Sequence, residues 1–262
     1  MSKFSLKSGR SQLGVISLFL LVFGVQAKQN SEIASPPPTP ENTSKTIVLI
    51  NPNSNEQATA SMAELAQHEV GSQAKVVGVS NSSAPKLLTT PQDMRDAAAG
   101  VVALGVAAAA DEQVVALIVS AFSDPGLEAL RAQVTIPVFG IGESVFQEAA
   151  KGGRTFGIVT VTPDEELLAS FREKAEELGY EEQYSGVRVT PGDPLELMSS
   201  NELLDTALSK AVLASIEEDG AQAVIMGGGP LSASALRLQS SFEVPLLVAV
   251  NAAARAAVKE TE

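Results

Sequence analysis

From residue 45 onward the chain alternates short apolar runs rich in β-branched residues with helical stretches. The apolar runs fall near residues 47 to 50, 75 to 80, 114 to 120 and 137 to 141, and again near 156 to 161, 184 to 189, 222 to 226 and 245 to 250. Between them lie helical stretches near 55 to 69, 91 to 109, 125 to 133 and 143 to 151, then 163 to 178, 200 to 218, 230 to 240 and 251 to 259. Strands that are apolar on both faces and separated by helices predict parallel sheets covered on both sides.

The pattern occurs twice. Thr46-Ile47-Val48-Leu49-Ile50-Asn51-Pro52-Asn53 matches Thr155-Phe156-Gly157-Ile158-Val159-Thr160-Val161-Thr162 at an offset of 109, and Asp96-Ala97-Ala98 matches Asp205-Thr206-Ala207 at the same offset. Pro137-Val138-Phe139-Gly140 matches Pro245-Leu246-Leu247-Val248 at 108. The agreement predicts an α/β fold of two similar lobes, residues 45–153 and 154–262, each a four-stranded parallel sheet flanked by helices and related by a pseudo-twofold duplication. In such sheets ligands bind beyond the carboxyl ends of the strands, which places the expected site in the cleft between the two sets of loops.

Each loop there has a structural and a functional reading. Asn53 and Glu56 have the spacing of an N-cap and its reciprocal carboxylate, and Thr162-Pro163-Asp164-Glu165 is read as the same device with proline at the first helical position. Asp124, before Pro125, is either a cap or a general base; Glu143, after Gly140-Ile141-Gly142, is either a helix-start charge or a site carboxylate. Gly227-Gly228-Gly229-Pro230 is either a tight turn or a loop that turns its amides toward an anionic or imide oxygen. It lacks the Gly-Lys-Ser/Thr ending of a phosphate loop.

Composition narrows the chemistry. At 45% hydrophobic but 4% aromatic, the chain can build its core from Ala, Val, Leu and Ile. The net charge is −13 and the first 27 residues hold bases but no acids, so the remainder is more acidic still and nucleic acid is excluded as a partner. No cysteine and a single histidine, His68, leave no metal site, thiolate or disulfide framework to draw. His68 has no partner nearby in sequence and reads as a surface or packing residue.

Residues 1–27 have the order of a secretory signal peptide: Lys3, Lys7 and Arg10, an apolar run from Leu13 to Val25, then Val25-Gln26-Ala27. The run is shorter than the ~20 residues that usually span a bilayer, so an exported, periplasmic or secreted protein is expected, with membrane attachment the alternative if the segment stays uncleaved. Residues 28–44 are polar and proline-rich and read as a linker. The alanine-rich stretch from Ala97 to Ala110 suits either the core or a homo-oligomer interface.

The ordered motifs Asn51-Pro52-Asn53-Ser54, Phe122-Ser123-Asp124-Pro125-Gly126-Leu127, Pro137-Val138-Phe139-Gly140-Ile141-Gly142-Glu143, Phe156-Gly157-Ile158-Val159-Thr160 and Gly227-Gly228-Gly229-Pro230-Leu231 resemble the Asp/Glu/hydantoin racemase family. The resemblance spans about residues 45 to 257. It implies a cofactor-free isomerase whose substrate lies in the interlobe cleft between two cysteines, one removing the α-proton and the other returning a proton to the opposite face. It also implies a ligand surface of Asn51, Asn53, Ser54, Ser120, Ala121, Phe122, Thr160, Thr162, Gly227, Gly228 and Gly229. Carried over, the cysteine positions are Ala121 and Gly228, and neither can move a proton. Three readings follow. One is an isomerase using Asp124 or Glu143 as base, with Thr160, Thr162 or Ser232 supplying hydrogen bonds. Another is a different reaction, such as decarboxylation, in the same cleft. The third is an exported binding protein for a small carboxylate or cyclic imide.

Overall fold

The structure, a computed structural model, describes residues 45–88, 91–228 and 231–261. The signal-peptide and linker segments therefore lie outside the described residues, as do Gly229 and Pro230. Among the described residues no helix is long and apolar enough to cross a membrane.

The first half runs β1 (Thr46–Asn51), α1 (Glu56–Val70), β2 (Lys75–Ser80), α2 (Pro91–Ala109), β3 (Val114–Val119), α3 (Leu127–Arg131), β4 (Val138–Gly140) and α4 (Ile141–Ala149). The second runs β5 (Phe156–Thr160), α5 (Glu165–Glu177), β6 (Tyr184–Val189), α6 (Pro194–Met198), α7 (Asn201–Glu217), β7 (Val224–Met226), α8 (Ser232–Leu238), β8 (Leu246–Leu247) and α9 (Ala249–Thr261). The sheets have the orders β2-β1-β3-β4 and β6-β5-β7-β8, with every pairing parallel. The expected fold, two four-stranded parallel sheets of the same topology, is thus present.

The elements depart from expectation most clearly at the fourth strands and at one added helix. The fourth strands are shorter than the apolar runs suggested, because α4 and α9 begin at Ile141 and Ala249 and take the ends of those runs into helix. The short helix α6 was not foreseen; Asp193 caps it by accepting from the Glu196 amide at 2.9 Å, with Pro194 in its first turn.

Strand periodicity divides the core into layers. In β1, Ile47 and Leu49 face one way and Val48 and Ile50 the other, as the two-residue repeat requires. Val48, Ile50, Leu117 and Val119 pack against Val101 of α2 and Leu127 and Leu130 of α3. On the opposite face Ile47, Leu49, Ala116 and Ile118 meet Ala66 and Val70 of α1 together with Val250, Ala253, Ala254 and Ala257 of α9. The second sheet is arranged likewise: α7 and α8 cover one face, while Phe156, Ile158 and Ile225 on the other face meet Phe171 and Ala175 of α5 and Val145, Phe146 and Ala149 of α4.

The last helix of each half therefore covers the other half's sheet. The α9 residues facing the first sheet, Val250, Ala253, Ala254 and Ala257, recur at i, i+3, i+4 and i+7 as an amphipathic stripe, while the neighbouring Ala252 packs with the second sheet. Arg255 of α9 reinforces the junction, with Nη1 2.8 Å from Glu69 Oε1 of α1 and Nη2 2.8 Å from Glu148 Oε1 of α4. Asn251 Nδ2 donates to Glu69 Oε2 at 2.9 Å.

This exchange makes the two sheets one folding unit. Phe146 is fully buried against the second sheet although it belongs to the first half. Phe146→Ala is expected to cost about 3–5 kcal/mol, and urea unfolding should remain a single transition; separate transitions for the two sheets would show that the exchange does not couple them.

Candidate functional site

The loops after β1, β3, β5 and β7 leave the carboxyl ends of the two central strand pairs. After β1, Asn51 is fully buried and acts as a hub. Its Nδ2 donates to Asn53 Oδ1 and Thr59 Oγ1, both at 2.9 Å, and its Oδ1 accepts the Asn53 amide at 3.2 Å. Asn53 Oδ1 also accepts the Asn55 amide at 2.9 Å. The cap of α1 is Asn55, whose Oδ1 accepts the Ala58 amide at 3.1 Å. The expectation of an Asn53 cap is corrected by two residues, because Asn53 is spent holding the loop to Asn51. In the second half the cap is Asp164, which accepts from the Leu167 amide at 2.8 Å, so Pro163 precedes the cap and is not the first helical residue. Ser54 donates its amide to the Pro85 carbonyl at 3.1 Å and lines a groove of about 350 Å³ with Glu56, Thr59, Gly78, Ser80 and Ser82.

After β3, Ser120 is buried and its Oγ lies 2.9 Å from Met62 Sδ. Ala121 and Phe122 are half-buried. The Phe122 ring packs edge-on against Phe146 and Phe171, with centroids 5.7 and 5.2 Å away. After β5, Thr160 is buried and accepts the exposed Thr162's amide at 3.3 Å. After β7, Gly227 is buried and Gly228 exposed. The Gly227 amide continues the β5–β7 ladder, donating to the Val159 carbonyl at 2.8 Å, and the Gly228 amide donates to the Met226 carbonyl at 3.0 Å, so both amides are engaged within the fold. A Cβ on Gly227 would lie 3.3 Å from Phe171 Cζ. Phe171 of α5 is thus shared: Phe122 of one lobe and Gly227 of the other both rest on it, and the loops carrying Ala121 and Gly228 converge there. Ser232 is buried in the first turn of α8.

Asp124 is where the reading of the sequence needs most correction. Its side chain does not cap α3, whose N-terminal boundary residue is Gly126; only its carbonyl meets that helix, accepting the Leu127 amide at 3.2 Å. It caps α4 instead, across a sequence separation of 18 residues: Oδ1 accepts the Gly142 amide at 2.9 Å and Oδ2 accepts the Glu143 amide at 2.7 Å. Lys174 of α5, itself buried, brings Nζ to 3.1 Å from Oδ2. Three donors converge on the two oxygens, an arrangement suited to a carboxylate at the positive end of a helix. The backbone at Asp124 is left-handed, φ 52°, an unfavourable conformation for a residue with a Cβ and one that the surrounding contacts must hold. Burial pushes the Asp124 carboxyl above its ordinary 3.8, opposed by the Lys174 charge and the two amide bonds.

Two glycines make this possible. A Cβ on Gly140 would overlap the Asp124 carboxylate, and one on Gly142 would overlap the Phe122 carbonyl oxygen and lie 2.8 Å from Asp124 Oδ2. Glu143, the other candidate base, turns away to Arg131, with Oε2 2.9 Å from Nη2, and accepts from Gln147 Nε2 at 2.8 Å. Arg131 in turn donates to the Val138 carbonyl, so Glu143 braces the start of α4 against α3 and β4.

Lys174, Phe171, Asn55 and Thr59 were missed. For Lys174 the signal was present in the repeat: at an offset of 109 it stands where the first half has Leu65, and a lysine in a leucine position of an amphipathic helix marks a buried partner. Among the described residues no group of three or more His, Cys, Asp and Glu side chains could hold a metal ion.

With this geometry in view, the likeness to known proteins is specific. The chain belongs to the Asp/Glu/Hydantoin racemase family, whose model matches residues 47–257. It is 24% identical over 211 residues to a hydantoin racemase of Paenarthrobacter aurescens, covering 80% of this chain and 89% of the relative. Among solved structures it is similar to the allantoin racemase from Klebsiella pneumoniae, with a TM-score of 0.73, 24% identity, and coverage of 82% and 87% of the two chains. The fold is also similar to that of unliganded arylmalonate decarboxylase, at a TM-score of 0.59 and 14% identity over 84% and 93% of the two chains.

Gly142→Ala is expected to force the Phe122 carbonyl out of place and cost about 3 kcal/mol in chemical denaturation; a variant as stable as the parent would show that the loop has room to yield. A second expectation concerns pH. Because the folded protein holds the Asp124 proton more readily than an unfolded chain does, the contribution of this group is fully present below 3.8 and is lost as pH rises through its folded pKa. The melting-temperature advantage of the parent over Asp124→Asn should therefore be larger near about pH 4 than near about pH 7.

Proposed function

We propose that this protein uses the racemase fold to bind a small carboxylate or cyclic imide, such as a hydantoin or allantoin, without the two-base proton transfer for which the family is named. The observation that carries this reading is the absence, among the described residues, of a free base at the cleft. The chain contains no cysteine, and the proposed cysteine positions are Ala121 and Gly228. Of the two acids considered as replacements, Asp124 accepts two backbone amides and faces Lys174, and Glu143 is paired with Arg131. The hydroxyls of Ser120 and Thr160 are buried with no histidine partner to activate them, since the only histidine, His68, is exposed near the end of α1.

In this proposal the ligand lies between the β1 and β3 loops of one lobe and the β5 and β7 loops of the other, against Asn53, Ala121, Phe122, Thr162 and the exposed Gly228. The ligand class is inferred from the printed names of the relatives together with the short polar side chains at the strand ends. Export through the N-terminal segment is part of the same proposal and suits a binding role outside the cytoplasm. The raised Asp124 carboxyl favours a second reading, in which it acts as a base after release from its cap.

One experiment separates the two. The purified protein is melted with hydantoins, allantoin, dicarboxylates and both hands of amino acids, and each stabilising compound is incubated in deuterium oxide. Binding at saturation should raise the melting temperature by about 5 °C or more with no deuterium at the α-carbon. Deuterium uptake would establish the isomerase reading, and absence of stabilisation by every compound would overturn the binding role.

A further inference from the structure

We infer that Lys174 is a positioning residue of the cleft: reaching from the second lobe to Asp124, it fixes the β3 loop of the first lobe in its ligand-facing shape. The inference rests on the proposed use of the cleft as a binding site. Its structural basis is the difference between the two halves. At an offset of 109, Met62 and Leu65 of α1 correspond to Phe171 and Lys174 of α5. Met62 meets Ser120 of the β3 loop as Phe171 meets Gly227 of the β7 loop. The next position along the helix face is apolar in one half and cationic in the other. The loops differ in the complementary way, since Leu231 occupies the place in the second half that Asp124 occupies in the first, at an offset of 107, and is buried. Charge appears on both members of this pair, whereas the corresponding leucines are apolar and pack apart, Leu231 with α7 and α8 and Leu65 with the α1 and α9 face of the first sheet.

The charged junction spans the lobes. The side chains are 10% exposed for Lys174 and 2% for Asp124, so solvent screening is slight and loss of one partner strands the other. Glu177 Oε2, 3.5 Å from Lys174 Nζ, is mostly exposed and does not substitute for Asp124. Asp124 in turn keeps a left-handed backbone and caps α4, two residues past Phe122. Phe122 rests on Phe171, one turn from Lys174 on the same helix. Lys174 and Phe171 therefore grip one loop at two points, and Phe171 alone touches the other loop. An apolar residue at 174 would fill space as Leu65 does, but it would leave the Asp124 carboxylate buried without a counter-charge and draw the loop off the α4 terminus.

The test compares the parent, Lys174→Met, Lys174→Arg and the double variant Asp124→Asn/Lys174→Met, all as full chains. Amide hydrogen exchange at Gly142 and Glu143 is read alongside calorimetric affinity for allantoin and 5-substituted hydantoins. Lys174→Met is expected to speed exchange at both amides and weaken binding on the order of tenfold, while Lys174→Arg restores both. The double variant, with no stranded charge, should fold yet bind as weakly as Lys174→Met, because Asp124→Asn leaves only one acceptor oxygen for the two backbone amides. Unchanged exchange in Lys174→Met overturns the inference, as does faster exchange with unchanged affinity or a double variant that binds like the parent. If the parent binds none of these probes, the proposed binding function fails, and exchange at Gly142 and Glu143 alone decides whether Lys174 positions the loop.

Discussion

The constraint on which the structure depends is that neither half can cover its own sheet. Each half supplies helices for one face and a single helix, α1 or α5, for part of the other. The remaining apolar surface is closed only by the last helix of the opposite half. Exposing a face that carries residues such as Ile47, Leu49 and Ile118 would cost on the order of 25 cal/mol for each Å² returned to water, so the halves are held together by the same burial that folds them. The loops at the strand ends are consequently brought together by the fold itself, before any ligand contributes.

Within that frame the pseudo-symmetry is kept in the backbone and broken in the chemistry. The strand order, the helix exchange and the contact between α1 or α5 and the loop beyond it repeat. What does not repeat is polarity. Asp124 and Lys174 form a buried ion pair, whereas the residues at the corresponding sequence positions, Leu231 and Leu65, are apolar and pack in separate clusters. Asn51 organises its loop through four hydrogen bonds, where Thr160 has one amide to accept. A duplicated fold supplies two walls, and the differences between them give the cleft a direction.

The same asymmetry is the physical ground for the proposal that this member of a racemase family binds its ligand without two-base chemistry. A two-base mechanism needs a proton-transfer group on each wall, and the acids nearest this cleft are engaged in holding backbone. Asp124 and Glu143 anchor the first turn of α4 from two sides, one through its amides and one through Arg131. A carboxylate that terminates a helix and faces a lysine is part of the framework that would shape the proposed binding surface.

The sequence by itself determined the duplication, the two parallel sheets and most helix positions, because strand and helix periodicities and an offset of 108 to 109 are local properties that repeat along the chain. It also carried the family motifs, and the lack of cysteine followed from composition alone. Cap positions were legible only to within two residues, since Asn53 and Asn55 are equivalent as cap formers until Asn51 engages the first of them. Only the tertiary structure decided that α4 and α9 exchange sheets, that Asp124 caps a helix 18 residues away and that Lys174 faces it across the lobes. These are contacts between segments far apart in sequence, and an amphipathic stripe states that a face will be buried without stating against what.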